Sequence, residues 1–175
     1  MIALARFGSR LALICLFGFA IISCGFHLRG ALALPSGIQS VYVQAADPLS
    51  PLKQDIEQNL RANKIEVATQ ASASSASIVI VADSVQREIL SVNERARVSE
   101  YLLRYQAVVQ ITAGGADSQR ILLPQSQLEL SREYSFDERQ ALGAAQEEEI
   151  ITAELRADMA QLILRKLAVQ RVQKQ

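Results

Sequence analysis

Tyr101-Leu102-Leu103-Arg104-Tyr105-Gln106-Ala107-Val108-Val109-Gln110-Ile111-Thr112 repeats with a period of two. Tyr101, Leu103, Tyr105, Ala107, Val109 and Ile111 fall on one side, and Arg104, Gln106, Gln110 and Thr112 on the other. Successive side chains of a strand point to opposite faces, so this stretch predicts a strand with one buried and one polar face. A sheet of that kind needs a second layer on its apolar side, and the rest of the chain has to supply it.

Upstream, Ile78-Val79-Ile80-Val81 is continuously apolar and continues in a mixed pattern to Val92, as expected of a strand covered on both sides. Asn93-Glu94-Arg95-Ala96-Arg97 forms the tip that joins the two long strands. Downstream, Gly114-Gly115-Ala116-Asp117 is a turn signal. Ile121 to Tyr134 reads as a third long strand, with Leu128 and Leu130 on one face. Pro124 puts that strand on a sheet edge or at a bulge. Val41-Tyr42-Val43 and Ile65-Glu66-Val67 are short strand candidates.

Two segments have helical spacing. Ser50 can cap a helix that Pro51 begins, with Leu52, Ile56 and Leu60 as its apolar stripe and Asn63-Lys64 at its end. A longer helix is expected from Gln146 to Val169, with Ile151, Leu155, Met159, Leu162, Ile163 and Leu167 facing inward. Glu147-Glu148-Glu149 would occupy its first turn and Arg165-Lys166 its end, in the sense the helix dipole favours. Ala71 to Ser77 reads as a flexible, small-residue connector. The expected fold is α+β, a two-layer sandwich. A mostly antiparallel or mixed sheet of about four to five strands packs on two helices.

The N-terminus determines the compartment. Arg6 and Arg10 precede an apolar run from Leu11 to Ile22, shorter than the ~20 residues a membrane-spanning helix needs. Ile21-Ile22-Ser23-Cys24 follows in the manner of a lipobox, so residues 1–23 are expected to be a signal peptide and Cys24 the lipidated first residue. Residues 24–39 then form the anchor and an extended connector broken by Pro35 and Gly37. Residues 40–170 form one domain, and 171–175 a short tail. Gly25 stands where Asp commonly retains lipoproteins in the inner membrane, which favours the outer membrane. One acyl chain anchors weakly, and two or more hold firmly.

Removing residues 1–23 from the 175 leaves 152, enough for one self-supporting core. Arg6 and Arg10 go with the leader, so the 18 basic residues become 16 against 18 acidic ones. That balance argues against nucleic acid, whose partners carry a phosphate-neutralising excess. Cys15 lies in the leader, which leaves Cys24 alone and excludes an internal disulfide.

Catalytic signals are missing. His27 is the sole histidine and sits beside the anchor, so none is left to orient a nucleophile or complete a metal site. No G-x-S-x-G elbow occurs, and Gly114-Gly115 lacks the lysine of a phosphate loop. The sequence points to binding or assembly, with no enzyme activity, cofactor or metal.

Cys24-Gly25-Phe26-His27-Leu28-Arg29-Gly30 resembles the segment after the lipobox in the LPS-assembly lipoprotein family. That family supplies the small plug subunit of the outer-membrane lipopolysaccharide translocon. The order of elements is similar along almost the whole mature chain. Weaker echoes are Ser99-Glu100-Tyr101, Ser135-Phe136-Asp137, Ala141-Leu142-Gly143 and Asp158 to Leu167. The resemblance implies a lipid-anchored protein, facing the periplasm and seated in the lumen of a large β-barrel. It would help that barrel assemble and deliver lipopolysaccharide to the outer leaflet. It also implies lipopolysaccharide binding, for which Arg95 and Arg97 are the candidates, because guanidinium forks suit phosphate. Glu94 sits beside them, and the loop expected at Gly143 to Gln146, where a second cation could stand, holds none. The alternative is a free-standing periplasmic lipid-binding lipoprotein that uses a concavity between sheet and helices near Tyr101 and Tyr105.

Overall fold

The computed structural model describes residues 32–114, 119–136 and 141–169. The leader, Cys24, most of the Gly114–Asp117 turn and the C-terminal tail lie outside the described residues. A five-stranded mixed sheet carries two helices, as the α+β reading requires. The strands are β1 (Ser40–Ala45), β2 (Glu66–Ala68), β3 (Ser75–Val92), β4 (Val98–Ala113) and β5 (Arg120–Ser135). The helices are α1 (Pro51–Ala62) and α2 (Ala141–Val169). The sheet order is β2-β1-β3-β4-β5.

The two sides of this sheet are built differently. β1 pairs in parallel with both β2 and β3, and α1 makes the crossover between β1 and β2. β3, β4 and β5 form a long antiparallel meander. The alternation in β4 has the predicted effect: Leu103, Tyr105, Ala107, Val109 and Ile111 are buried, and Tyr101 is half-buried. Pro124 lies on the edge strand β5, where the register with β4 shifts between Val109 and Thr112. A residue without an N–H is tolerated there because the outer side of β5 needs no donor.

α1 begins and ends as its sequence dictates. Ser50 Oγ accepts the Lys53 N–H at 3.4 Å, and Pro51 opens the first turn. Asn63 caps the end, Lys64 takes a left-handed conformation at φ 60, and the Ile65 N–H returns to the Leu60 carbonyl at 2.9 Å. Leu52, Ile56 and Leu60 are fully buried, each removal from water contributing about 1.5–3 kcal/mol. They meet Ile78, Ile80, Leu155, Met159, Ile163 and Leu167 in one core, which Leu32, Leu34 and Ile38 of the entering chain also touch.

Two expectations need correction. Ser75, Ala76 and Ser77 are buried strand residues and not connector. Their small side chains let β3 lie between β1 and β4, with Ser75 opposite Ser40 and Ala76 opposite Ala113. The Ser75 hydroxyl also closes a local turn by donating to the Ser72 carbonyl at 3.0 Å. α2 starts at Ala141, five residues before Gln146, so no acidic residue lies in its first turn. The Glu147–Glu149 run therefore does not complement the helix dipole, and Glu148 has a different use, described below. Lys166 does lie in the last turn. Ala160 and Leu164 are buried beside the predicted stripe, because α2 packs on α1 as well as on the sheet.

Candidate functional site

The hairpin of β3 and β4 is the feature that sets this domain apart. β1 accompanies β3 only from Ser75 to Ile80. Beyond that point β3 pairs with β4 alone, as far as Val92 opposite Val98. Every residue from Val81 to Leu90 is exposed. Val81, Val85, Ile89, Leu90 and Val92 stand among the exposed large apolar side chains, with Ile89 61% exposed.

The tip is set by Asn93. Its side-chain carbonyl accepts the N–H groups of Arg95 at 2.9 Å and Arg97 at 3.1 Å, and its backbone N–H donates to the Arg97 carbonyl at 2.8 Å. Ala96 turns the chain at φ 56, a conformation that costs a residue bearing a Cβ and is held here by those bonds. Arg95 and Arg97 are thus brought together on one exposed turn, with Glu94 between Asn93 and Arg95. Gly143 to Gln146 belongs to α2 and is no loop.

A clamp ties this hairpin to α2. Arg87 Nη1 meets Glu148 Oε2 at 2.7 Å, and the guanidinium lies 4.7 Å from the centre of the Tyr101 ring. Tyr134 donates its hydroxyl to the same Glu148 oxygen at 2.8 Å and stacks on Tyr101 with centroids 5.6 Å apart. Phe136 meets Tyr101 edge-on at 5.2 Å. Glu148 and the nearby Tyr134 hydroxyl hold the Arg87 pKa above its ordinary value. Burial, followed by the bond to Glu148, pushes the Tyr134 hydroxyl up to about 12. Deeper in, Tyr105 donates to Asp83 at 2.7 Å, and its pKa is raised by burial first and by Asp83 second.

The face of the sheet away from the helices is polar. Arg104 bridges Glu88 on β3, at 3.1 Å, and Glu129 on β5, and Gln106 donates to Glu129 at 3.0 Å. Those partners hold the Arg104 pKa above its ordinary value, the bonds to Glu88 and Glu129 being the main causes. On the helix side Arg132 joins Glu154 and Asp158, and Arg156 joins Asp55 on α1 at 2.7 Å. None of these pairs could be read from sequence, because each depends on a register or a crossing known only after folding. The alternation around Arg104 did mark which face it occupies.

Among the described residues, the side chains between sheet and helices are buried in one continuous core. Tyr105 is buried in the core, and Tyr101 is covered in part by the clamp. A groove of about 440 Å³ runs along the surface of α2, lined by Ala145, Glu148, Glu149, Thr152, Ala153 and Arg156. Three of its six lining residues, Glu148, Glu149 and Arg156, are charged. Among the described residues no cluster of His, Cys, Asp and Glu could hold a metal ion. No described helix is long and apolar enough to cross a membrane.

A small mixed-sheet α+β domain, with a long hairpin paired on one side only and a lattice of surface ion pairs, is the class this architecture defines. Residues 38–167 match the LptE family, described as lipopolysaccharide-assembly, and the chain belongs to that family. It is 27% identical over 145 residues to the LPS-assembly lipoprotein LptE of Pectobacterium atrosepticum, covering 82% of this chain and 76% of that one. Among solved structures it is similar to an uncharacterized lipoprotein B from Nitrosomonas europaea. There the identity is 31% and the TM-score 0.65, over 81% of this chain and 88% of that one. The rare lipoprotein B of Shewanella oneidensis has 25% identity and a TM-score of 0.64, over 74% and 93% of the two chains.

Proposed function

We propose that this chain is an outer-membrane lipoprotein that plugs a large β-barrel, assists its assembly and serves the delivery of lipopolysaccharide to the outer leaflet. Family membership over residues 38–167 carries the reading and gives the chain a role in lipopolysaccharide assembly. The plug role is supported by the polar, ion-paired sheet face around Arg104, since the lumen of such a barrel is itself polar. Cys24 would take the lipid anchor, and the protein would act by contact, without catalysis.

Affinity recovery of the full-length, lipidated protein from solubilised outer membranes tests the reading. A single large barrel recovered in a near one-to-one ratio is the expected result. Recovery of the lipoprotein alone would remove the plug role. Cys24→Ala should abolish incorporation of labelled fatty acid.

Lipopolysaccharide contact is assigned to Arg95 and Arg97, which the turn around Asn93 presents together on an exposed tip. The double variant Arg95→Glu, Arg97→Glu should lower lipopolysaccharide capture while leaving barrel recovery intact. Unchanged capture would move the contact elsewhere. The free-standing lipid carrier is less favoured, because Tyr105 is buried in the core and Tyr101 packs against it among the described residues.

A further inference from the structure

The outer part of β3 has an unused hydrogen-bonding edge, and its geometry can be specified. The Ala46 N–H donates to the Ile80 carbonyl at 3.1 Å, so Ile80 turns its backbone toward the β1 side. Ile80 is opposite Val109 and Ala82 is opposite Val108, which makes Val81 the extra residue of a bulge. Past the bulge, Asp83, Val85, Arg87 and Ile89 pair with Ala107, Tyr105, Leu103 and Tyr101. These four take over the direction that Ile78 and Ile80 had: side chains toward the helices, backbone away from β4. No described strand covers their N–H and C=O groups. A second register shift after Ile89 closes the run, leaving Ala82 to Ile89 as a regular edge of one strand's length.

Beside this edge lies the α2 groove, joined to it by the Arg87–Glu148 pair. Its small residues Ala145, Thr152 and Ala153 leave room for side chains arriving from the vacant strand position. Glu149 on its rim is exposed and makes no ion pair among the described residues. An open edge next to a small-residue groove is the arrangement into which a peptide adds as a strand.

We propose that Ala82–Ile89 is a strand-addition site, and that its occupant is an extended segment of the barrel partner carrying a basic side chain toward Glu149. The proposal rests on the plug reading above. Only an extended backbone matches the alternating donors and acceptors of the edge, and the acidic rim selects the charge of the side chain. A second copy of this chain fits less well. Antiparallel pairing centred on Val85 would drive the copy's residue 90 into Ala46, which already occupies the place beside Ile80. Centring on Arg87 would set two arginines against each other.

Hydrogen exchange of the full-length protein, free and in complex with the recovered barrel, tests the site. In the free protein the amides of Asp83, Val85, Arg87 and Ile89 exchange fast. In the complex they slow by roughly tenfold or more, as a ladder bond requires. Val85→Pro removes a donor that no internal bond uses, so the domain keeps its circular dichroism spectrum. Barrel recovery should fall by roughly tenfold. Glu149→Lys should lower recovery as well.

A complex whose edge amides still exchange fast, with Val85→Pro recovered normally, would overturn the strand-addition site and leave the plug role standing. Absence of any barrel would overturn both. Protection of the same amides in a dimer of the free protein would identify a second copy as the occupant and overturn the proposal.

Discussion

β3 is one strand with two different lives. From Ser75 to Ile80 it is central, flanked by β1 and β4 and roofed by α1 and α2. From Val81 to Val92 it is an edge with a single neighbour, every side chain but that of Ser91 exposed. The break falls at one residue, Val81, where β1 ends and the bulge occurs. Stability is concentrated in the first part and accessibility in the second, a division expected of molecules that bind through regions they can leave underpacked.

The largest test of that contrast is a pair of truncations. Ile78→Ala, in the covered part, should cost about 2–5 kcal/mol because its neighbours cannot collapse into the space. Ile89→Ala, eleven positions further on, should stay within about 0.5 kcal/mol. Urea unfolding of both variants decides it, and similar midpoint shifts would erase the division.

Alkaline titration probes the boundary between the parts. Tyrosines of the unfolded chain ionise near pH ~10, while Tyr134 keeps its proton to about 12 and Tyr105 is raised by burial and by Asp83. A raised folded-state pKa gives stability that is complete below the unfolded value and lost as pH rises through the folded one. Unfolding midpoints should therefore fall between pH ~10 and ~12, and Tyr105→Phe should flatten that fall. A slope unchanged in Tyr105→Phe would mean that Tyr105 does not hold its proton as placed.

Ser50→Ala, which removes the cap of α1, should cost about 1 kcal/mol. Smallest of all, Arg95→Glu with Arg97→Glu should leave stability within about 0.5 kcal/mol, since the tip is fixed by Asn93 and by backbone bonds. A larger loss would mean that the arginines help to build the turn that presents them.

Much of the near part was legible in the sequence. The alternation of β4, the Ser50–Pro51 start of α1, the stripe of α2 and the edge position of Pro124 follow from local periodicity and turn chemistry. Ser75 to Ser77 escaped because small polar residues look alike in a connector and in a tightly flanked strand. The start of α2 escaped because Gly143 reads as a breaker, whereas nothing lies within 4 Å of where its Cβ would be and the helix carries it. The candidate site was legible in outline only. Arg95 and Arg97 could be put on a tip, but the clamp of Arg87, Glu148 and Tyr134 joins residues 61 positions apart in sequence and needs the register of three strands to appear.

That clamp also has a mechanical meaning. The outer hairpin is braced by β5 along β4 as far as Ser99, and on its other side only Arg87 props β3 against α2. From the prop to the turn at Asn93, roughly 20 Å of β3 is held by β4 alone. Because the prop is a half-exposed ion pair, added salt loosens it while the hydrophobic root stays rigid. Ionic strength therefore sets how closely the outer part of β3 is held to α2.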